Sequence, residues 1–157
     1  MTLRRGLTAA LATTLLAVVM VGAATAAKPT RVPLVIEDDV LTGFCPFPVL
    51  LEITANKEFV TFFDDGRILV TGKLFVRLTN VDEPSNVLDL NISGPAHITP
   101  LTERSAGRGL FVLFPEDVGG PGLVLTTGRV DIVRGEDGFF TDFTVRGTTV
   151  DVCAALA

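Results

Sequence analysis

Any acid–base or nucleophilic chemistry in this chain would have to be built around one histidine, His97, or around carboxylates. The serines are Ser85, Ser93 and Ser105, and a Ser-His-Asp set would draw on Ser93 and Asp89, just before His97. No G-x-S-x-G nucleophile elbow is present, so the plain reading of His97 is a surface or rim residue of a strand. A metal site built on several histidines is excluded. Acidic pairs and triplets stand at Glu37-Asp38-Asp39, Asp64-Asp65, Glu116-Asp117 and Glu136-Asp137. None has the ligand spacing of a calcium-binding loop, and Asp beside Gly in turns is explained by local hydrogen bonding and positive φ. The stretch GRGLF at 107–111 lacks the third glycine and the helix of a nucleotide loop. Neither a cofactor nor a metal is implied. Asn91-Ile92-Ser93 is a formal glycosylation sequon within a strand pattern, of little consequence beside a bacterial-looking export signal.

The two cysteines are Cys45, in GFCPFPV, and Cys153. Their chemistry depends on the compartment, and the first residues address that. Arg4 and Arg5 precede an uncharged apolar stretch from Gly6 to Gly22, and Ala24-Thr25-Ala26 fits a signal-peptidase site. Residues 1–26 therefore read as a cleaved signal helix of the general secretory type, and the protein as secreted. The alternative of a membrane anchor is disfavoured by the small-residue end and the lack of a basic stop. Phe44 before Cys45 rules out a lipid-anchor cysteine, so no stable membrane anchor is expected after cleavage. Outside the cytoplasm, Cys45 and Cys153 are most simply one disulfide. It closes nearly the whole domain, a loop for which chain entropy gives roughly 4–5 kcal/mol.

Composition narrows the function classes. Without its first 26 residues the chain keeps 131 of 157 residues, a single domain large enough for a core. Two of the 13 basic residues leave with the signal, so 18 acids against 11 bases give a net charge of −7. Such a domain is a poor partner for nucleic acid or an anionic membrane. Trp and Tyr are absent and Phe supplies all the aromatics, which counts against sugar- or base-stacking surfaces.

The elements that must position any site are strands. In ILVTGKLFVRLTN, Ile68, Val70, Gly72, Leu74, Val76 and Leu78 alternate with polar residues and Phe75. The same period of two marks Leu88, Leu90 and Ile92, then Val124, Gly128, Val130 and Ile132, then Phe139, Phe143 and Val145. Arg77 faces the strand of Asp89, and Arg129 and Asp131 face the strand of Asp142 and Arg146, as cross-strand pairs on a wet face. Turn residues separate the runs, as in DDGR at 64–67 and GEDG at 135–138.

About eight strands follow: 48–55, 58–63, 67–79, 86–93, 96–101, 109–114, 122–134 and 138–153. Short connections make an antiparallel meander, expected to close into a barrel, with a β-sandwich as the alternative. Gly72, Gly128 and Gly147 mark bends or bulges, and a bulge near Gly147-Thr148 would switch the inward parity from Phe143 and Val145 to Val150 and Val152. Cys153 is then on the outer face, so the disulfide pins an extended arm, residues 27–44, across the rim of the single domain, residues 45–157. Two glycine-bearing loops, 103–109 and 115–122, are the default binding places, with Arg104, Arg108, Glu116 and Asp117 as candidates.

CPFPV, NKE, DDGR, SGP, PGLVLTTGRV and DVCAALA, in this order, resemble a family of small exported actinobacterial proteins with no assigned activity. The resemblance implies export and a two-cysteine frame and brings no catalytic residues. At fold level a meander barrel is similar to lipocalin-like and allene-oxide-cyclase-like barrels, though no motif of either is present. The expected function is a secreted, non-enzymatic domain that binds a small ligand or a cell-envelope partner. The alternatives are a small barrel enzyme, a cyclase, isomerase or hydrolase using His97 or a cavity carboxylate, and a structural envelope protein.

Overall fold

A computed structural model describes residues 28–157; the signal-peptide reading of residues 1–26 lies outside the described residues. The described chain forms strands β1 (Thr30–Pro33), β2 (Asp39–Leu41), β3 (Val49–Asn56), β4 (Phe59–Phe62), β5 (Ile68–Thr71) and β6 (Leu74–Asn80). It continues with β7 (Val87–Asn91), β8 (Ala96–Ile98), β9 (Thr102–Leu113), β10 (Gly122–Arg134), β11 (Phe140–Asp151) and a short helix, α1 (Val152–Ala155). All pairings are antiparallel. One sheet has the order β1-β4-β5-β8-β9-β10-β11 and the other β2-β3-β6-β7.

The all-β reading holds, and the strands divide into two sheets with no closed ladder among the described residues. Most predicted strands lie within a few residues of observed ones. The division arises because β3 runs into β4, β5 into β6 and β7 into β8, each pair forming one bent path that serves both sheets. Register persists through the bends. Lys57 N donates to Lys73 O at 2.8 Å, and Ile92 N donates to Leu74 O at 3.0 Å. Past Arg108, whose N–H donates to Ser93 O at 3.2 Å, β9 parts from β7 and the core fills the wedge. There Val49, Leu74, Val76, Leu78 and Leu90 meet Leu123, Leu125, Val152 and Leu156.

The chain ends are tied into that wedge. The arm expected to be merely extended supplies β1 and β2, which pair with β4 and β3. Asp151 caps α1, its carboxylate accepting from Ala154 N at 3.1 Å, so the last strand stops before Cys153. Cys153 is bonded to Cys45, with their Cα atoms 5.3 Å apart. Because the helical turn rotates it, Cys153 sits half-buried against the core and not on the outer face expected. Phe44 meets Phe114 edge to face at 5.3 Å. Buried Asn80 donates from Nδ2 to Leu156 O at 3.0 Å, anchoring the C-terminal turn.

Two local expectations are corrected. The segment 103–109 is no loop: it lies within β9, paired to β8 on one side and β10 on the other. Gly147 is not at a bulge either, since β10 and β11 stay in register from Val124↔Asp151 to Val133↔Asp142, and the register shifts only at Val133/Arg134. The inward parity does switch, by another device. Leu123 and Leu125 are buried on one side of Gly128 and Val130 and Ile132 on the other, an odd spacing that a plain strand does not give. Gly128 has φ +119° and its partner Gly107 φ +92°, so backbone turned at glycine exchanges the faces without an added residue. Val124, expected inward, therefore gives way to its neighbours, and Val150 is 46% exposed.

Candidate functional site

The most unusual buried group is a carboxylate. Inward residues of β3 are Val49, Leu51 and Ile53; a register shift at Ile53/Ala55 then moves the inward set to Glu58 and Val60. Asn56 fixes this irregularity. Its Oδ1 accepts from Glu58 N at 2.9 Å and its Nδ2 donates to Leu34 O at 2.8 Å. Glu58 is only 7% exposed. Its carboxylate has no hydrogen-bond or ionic partner among the described residues, and burial pushes its carboxyl above the ordinary value.

Glu58 heads a row that crosses the meander. The pairing of Phe59 with Thr71 and of Lys57 with Lys73 sets it opposite Gly72. Successive registers continue the row through Gly94 and Gly107 to Gly128 and Gly147. The strands touch closely along it: a Cβ on Gly94 would collide with Ala106 O, and one on Gly147 with Thr127 O. On the inner side lies a cavity of about 220 Å³. Its walls include Val70, Ile92, Ile98, Leu110 and Phe111, its polar lining Glu58, Glu103, Ser105, Thr126 and, at the edge, Arg108, and three of the row's glycines border it. Glu103 is committed elsewhere, accepting from Arg134 Nη2 at 2.6 Å in a mostly buried pair. Thr126, 1% exposed, donates to Gly109 O at 3.4 Å. The cavity thus offers apolar walls and a single uncommitted carboxyl, an arrangement suited to a small apolar molecule with one polar group or to proton transfer.

The opposite face of the same sheet carries an open groove of about 530 Å³ lined by His97, Arg104, Arg129, Asp131, Asp142 and Arg146, among others. Asp131 organises it. Its oxygens accept from Arg129 Nε and Nη2, each at 2.8 Å, and from Arg104 Nε at 2.9 Å. These bonds, Arg129's first, hold the Asp131 carboxyl down at about 2.

The predicted residues scatter. His97 is exposed in the outer groove, while its neighbours Ala96 and Ile98 line the inner cavity, so it and Glu58 serve different faces. Arg104 and Arg108 stand on β9, Arg104 at the outer groove and Arg108 at the inner cavity's edge. Glu116 is exposed in a turn. Asp117, 6% exposed, is a structural hub: its oxygens accept from Phe114 N at 2.7 Å and Phe140 N at 2.6 Å, joining the β9–β10 loop to the start of β11. The cross-strand pair Arg77–Asp89 forms as read, with bonds of 2.8 and 3.1 Å. Glu58 escaped sequence reading, although the change from odd to even apolar positions between Ile53 and Val60 carries its signal. No group of three or more His, Cys, Asp or Glu suited to a metal ion occurs among the described residues. No protein-family model matches the chain, and no curated protein or solved structure matches it either.

Proposed function

We propose that the chain is an exported, non-enzymatic binding protein that holds a small, largely apolar molecule in the cavity beneath the glycine row. The observation that carries this is Glu58, a residue only 7% exposed whose carboxyl takes no hydrogen bond from the described residues and borders apolar walls while its oxygens stay accessible from the cavity. Partial burial disfavours the charged form of this carboxyl, and a bound hydrogen-bonding group or amine offsets that. The cavity is smaller than the roughly 300–1,000 Å³ of drug-sized sites, so the occupant is correspondingly small. The curved meander acts as a barrel-like cup around it, within the secreted family that the sequence resembles. The Cys45–Cys153 bond is consistent with an extracellular setting and supports export.

Glu58 also favours a second reading. A carboxyl whose pKa is raised by burial is a better general acid for a cyclase or isomerase than an ordinary one. His97 is on the wrong face to assist, and Glu103 is held by Arg134. With one uncommitted proton-transfer group in the cavity, binding is the better-supported role.

Native mass spectrometry on protein from its own host's culture medium tests the proposal. The expected spectrum shows loss of residues 1–26, two hydrogens missing for the disulfide, and added mass released on denaturation. A Ser105→Trp variant, which fills the cavity, is expected to lose the added mass. A bare wild-type monomer overturns the proposal.

A further inference from the structure

The outer groove has a charge arrangement that folding does not require. Arg129 and Arg146 are directly opposite each other in the β10–β11 register, and like charges so placed repel. Asp131 offsets this for Arg129, which it grips with two bonds. It does so poorly for Arg146, whose Nε lies 3.9 Å from Asp131 Oδ2 and whose side chain is 70% exposed. Arg104 uses only its Nε on Asp131. A guanidinium has five N–H donors, so most donors of the three arginines lack a protein acceptor among the described residues. Asp142 brings a second negative charge to the rim but takes its hydrogen bond from Thr144 Oγ1. Glu103 also lines the groove but is taken by Arg134, so three guanidiniums face the two remaining carboxylates, Asp131 and Asp142, and leave a positive spot on a domain that is acidic overall.

The geometry points to an oxyanion-binding site in this groove, in which Arg146 and Arg129 grip a phosphate, sulfate or carboxylate group across the β10–β11 pair while Arg104 closes one side. Asp131 serves as the post that holds Arg129 and Arg104 in place. Planar forks so held match an oxyanion bidentately. The site is distinct from the Glu58 cavity, with which it shares only Glu103 among the lining residues. Two sources share this chemistry: a free small anion and the repeated groups of an anionic polymer.

The test is a titration of the folded, disulfide-bonded protein, following arginine Nε–H signals by NMR at constant ionic strength. The probes are inorganic phosphate and polyphosphate, with chloride as control. Phosphate is expected to shift the Arg129 and Arg146 signals. Arg146→Gln, at an exposed position, is expected to weaken the response about tenfold, as loss of one charged hydrogen-bonding partner does. Glu58→Gln is expected to leave it unchanged. Tighter binding of polyphosphate per phosphate group identifies a polymer as the source, and equal binding a free anion. The proposal is overturned if chloride produces the same shifts or if Arg146→Gln binds phosphate like the parent.

Discussion

Gly72 lies directly opposite Glu58, so close that a Cβ built on Gly72 would be 2.6 Å from the Glu58 Cα. The carboxylate and the first glycine of the row are one feature: the link between β3 and β4 that bears Glu58 turns inward where the residue opposite has no side chain to resist. The resulting burial raises the Glu58 pKa above 4.5. The folded protein therefore binds that proton more tightly than the unfolded chain does. Glu58 weighs least on stability below its ordinary pKa. As pH rises through the raised value, stability is lost. Glu58→Gln is expected to melt higher than the parent at neutral pH, with the gap closing toward pH 4. Thermal melts from pH 3 to 8 check this, and a gap that does not change with pH refutes it.

Asp131 titrates in the opposite sense. The bonds from Arg129 and Arg104 lower its carboxyl from 3.8 to about 2. Its contribution is complete above the unfolded value and is lost as pH falls from about 4 toward 2. Asp131→Asn is expected to be less stable than the parent at pH 6 and indistinguishable from it near pH 2. The pair is solvent-exposed, so the gap is expected to shrink in high salt. Urea titrations at the two pH values, with and without salt, measure both effects.

How much of this was legible in the sequence depended on whether side chains or partners decide each element. Leu74, Val76 and Leu78 announce their strand because burial of one face selects alternating residues. Thr102–Gly109 does not, because glycine-bearing, charged ERSAGRG has the composition of a loop and becomes strand through backbone pairing to β10 along its length and to β8 at Glu103–Ser105. The arm strands β1 and β2 are short edge additions, exposed over most of their length, with no apolar face to show. Gly72, Gly128 and Gly147 were visible as bends, but their alignment into one row is a property of register, which involves residues far apart in sequence. Glu58 was hidden for a related reason: it falls at the very start of the predicted strand 58–63, and only the shift at Ile53/Ala55 makes it face inward.

Asp117 illustrates a residue whose chemistry is spent on the fold. Its two oxygens bind the backbone N–H groups of Phe114 and Phe140, and it is almost fully buried. Asp117→Ala leaves both donors to find other partners and is expected to cost about 2–3 kcal/mol. Asp117→Asn keeps one acceptor and is expected to cost less. Hydrogen exchange is the informative readout, since the Phe114 and Phe140 amides are expected to lose protection before those of the β9–β10 pair. Uniform loss of protection across the sheet would contradict this local role.

The glycine row makes the last prediction, which separates backbone conformation from close approach. Gly122 in β10 has no atom within 4 Å of a built Cβ and no positive φ. Gly122→Ala is therefore expected to be neutral or slightly stabilising, because it restricts the unfolded chain. Gly138, with φ +90° and open space around it, has only the conformational demand. Gly138→Ala is expected to cost about 1 kcal/mol. Gly128 has both demands: φ +119°, and a Cβ that would strike Arg146 O and lie 3.0 Å from the Gly147 Cα. Gly128→Ala is expected to cost about 3–5 kcal/mol, strain and overpacking together. It also removes the turn that buries Leu125 on one side and Val130 on the other, so loss of tertiary packing should accompany the loss of stability. Denaturant unfolding of the three variants decides the matter: a Gly128→Ala protein as stable as Gly138→Ala would mean that the strands do not meet as closely along the row as the geometry requires.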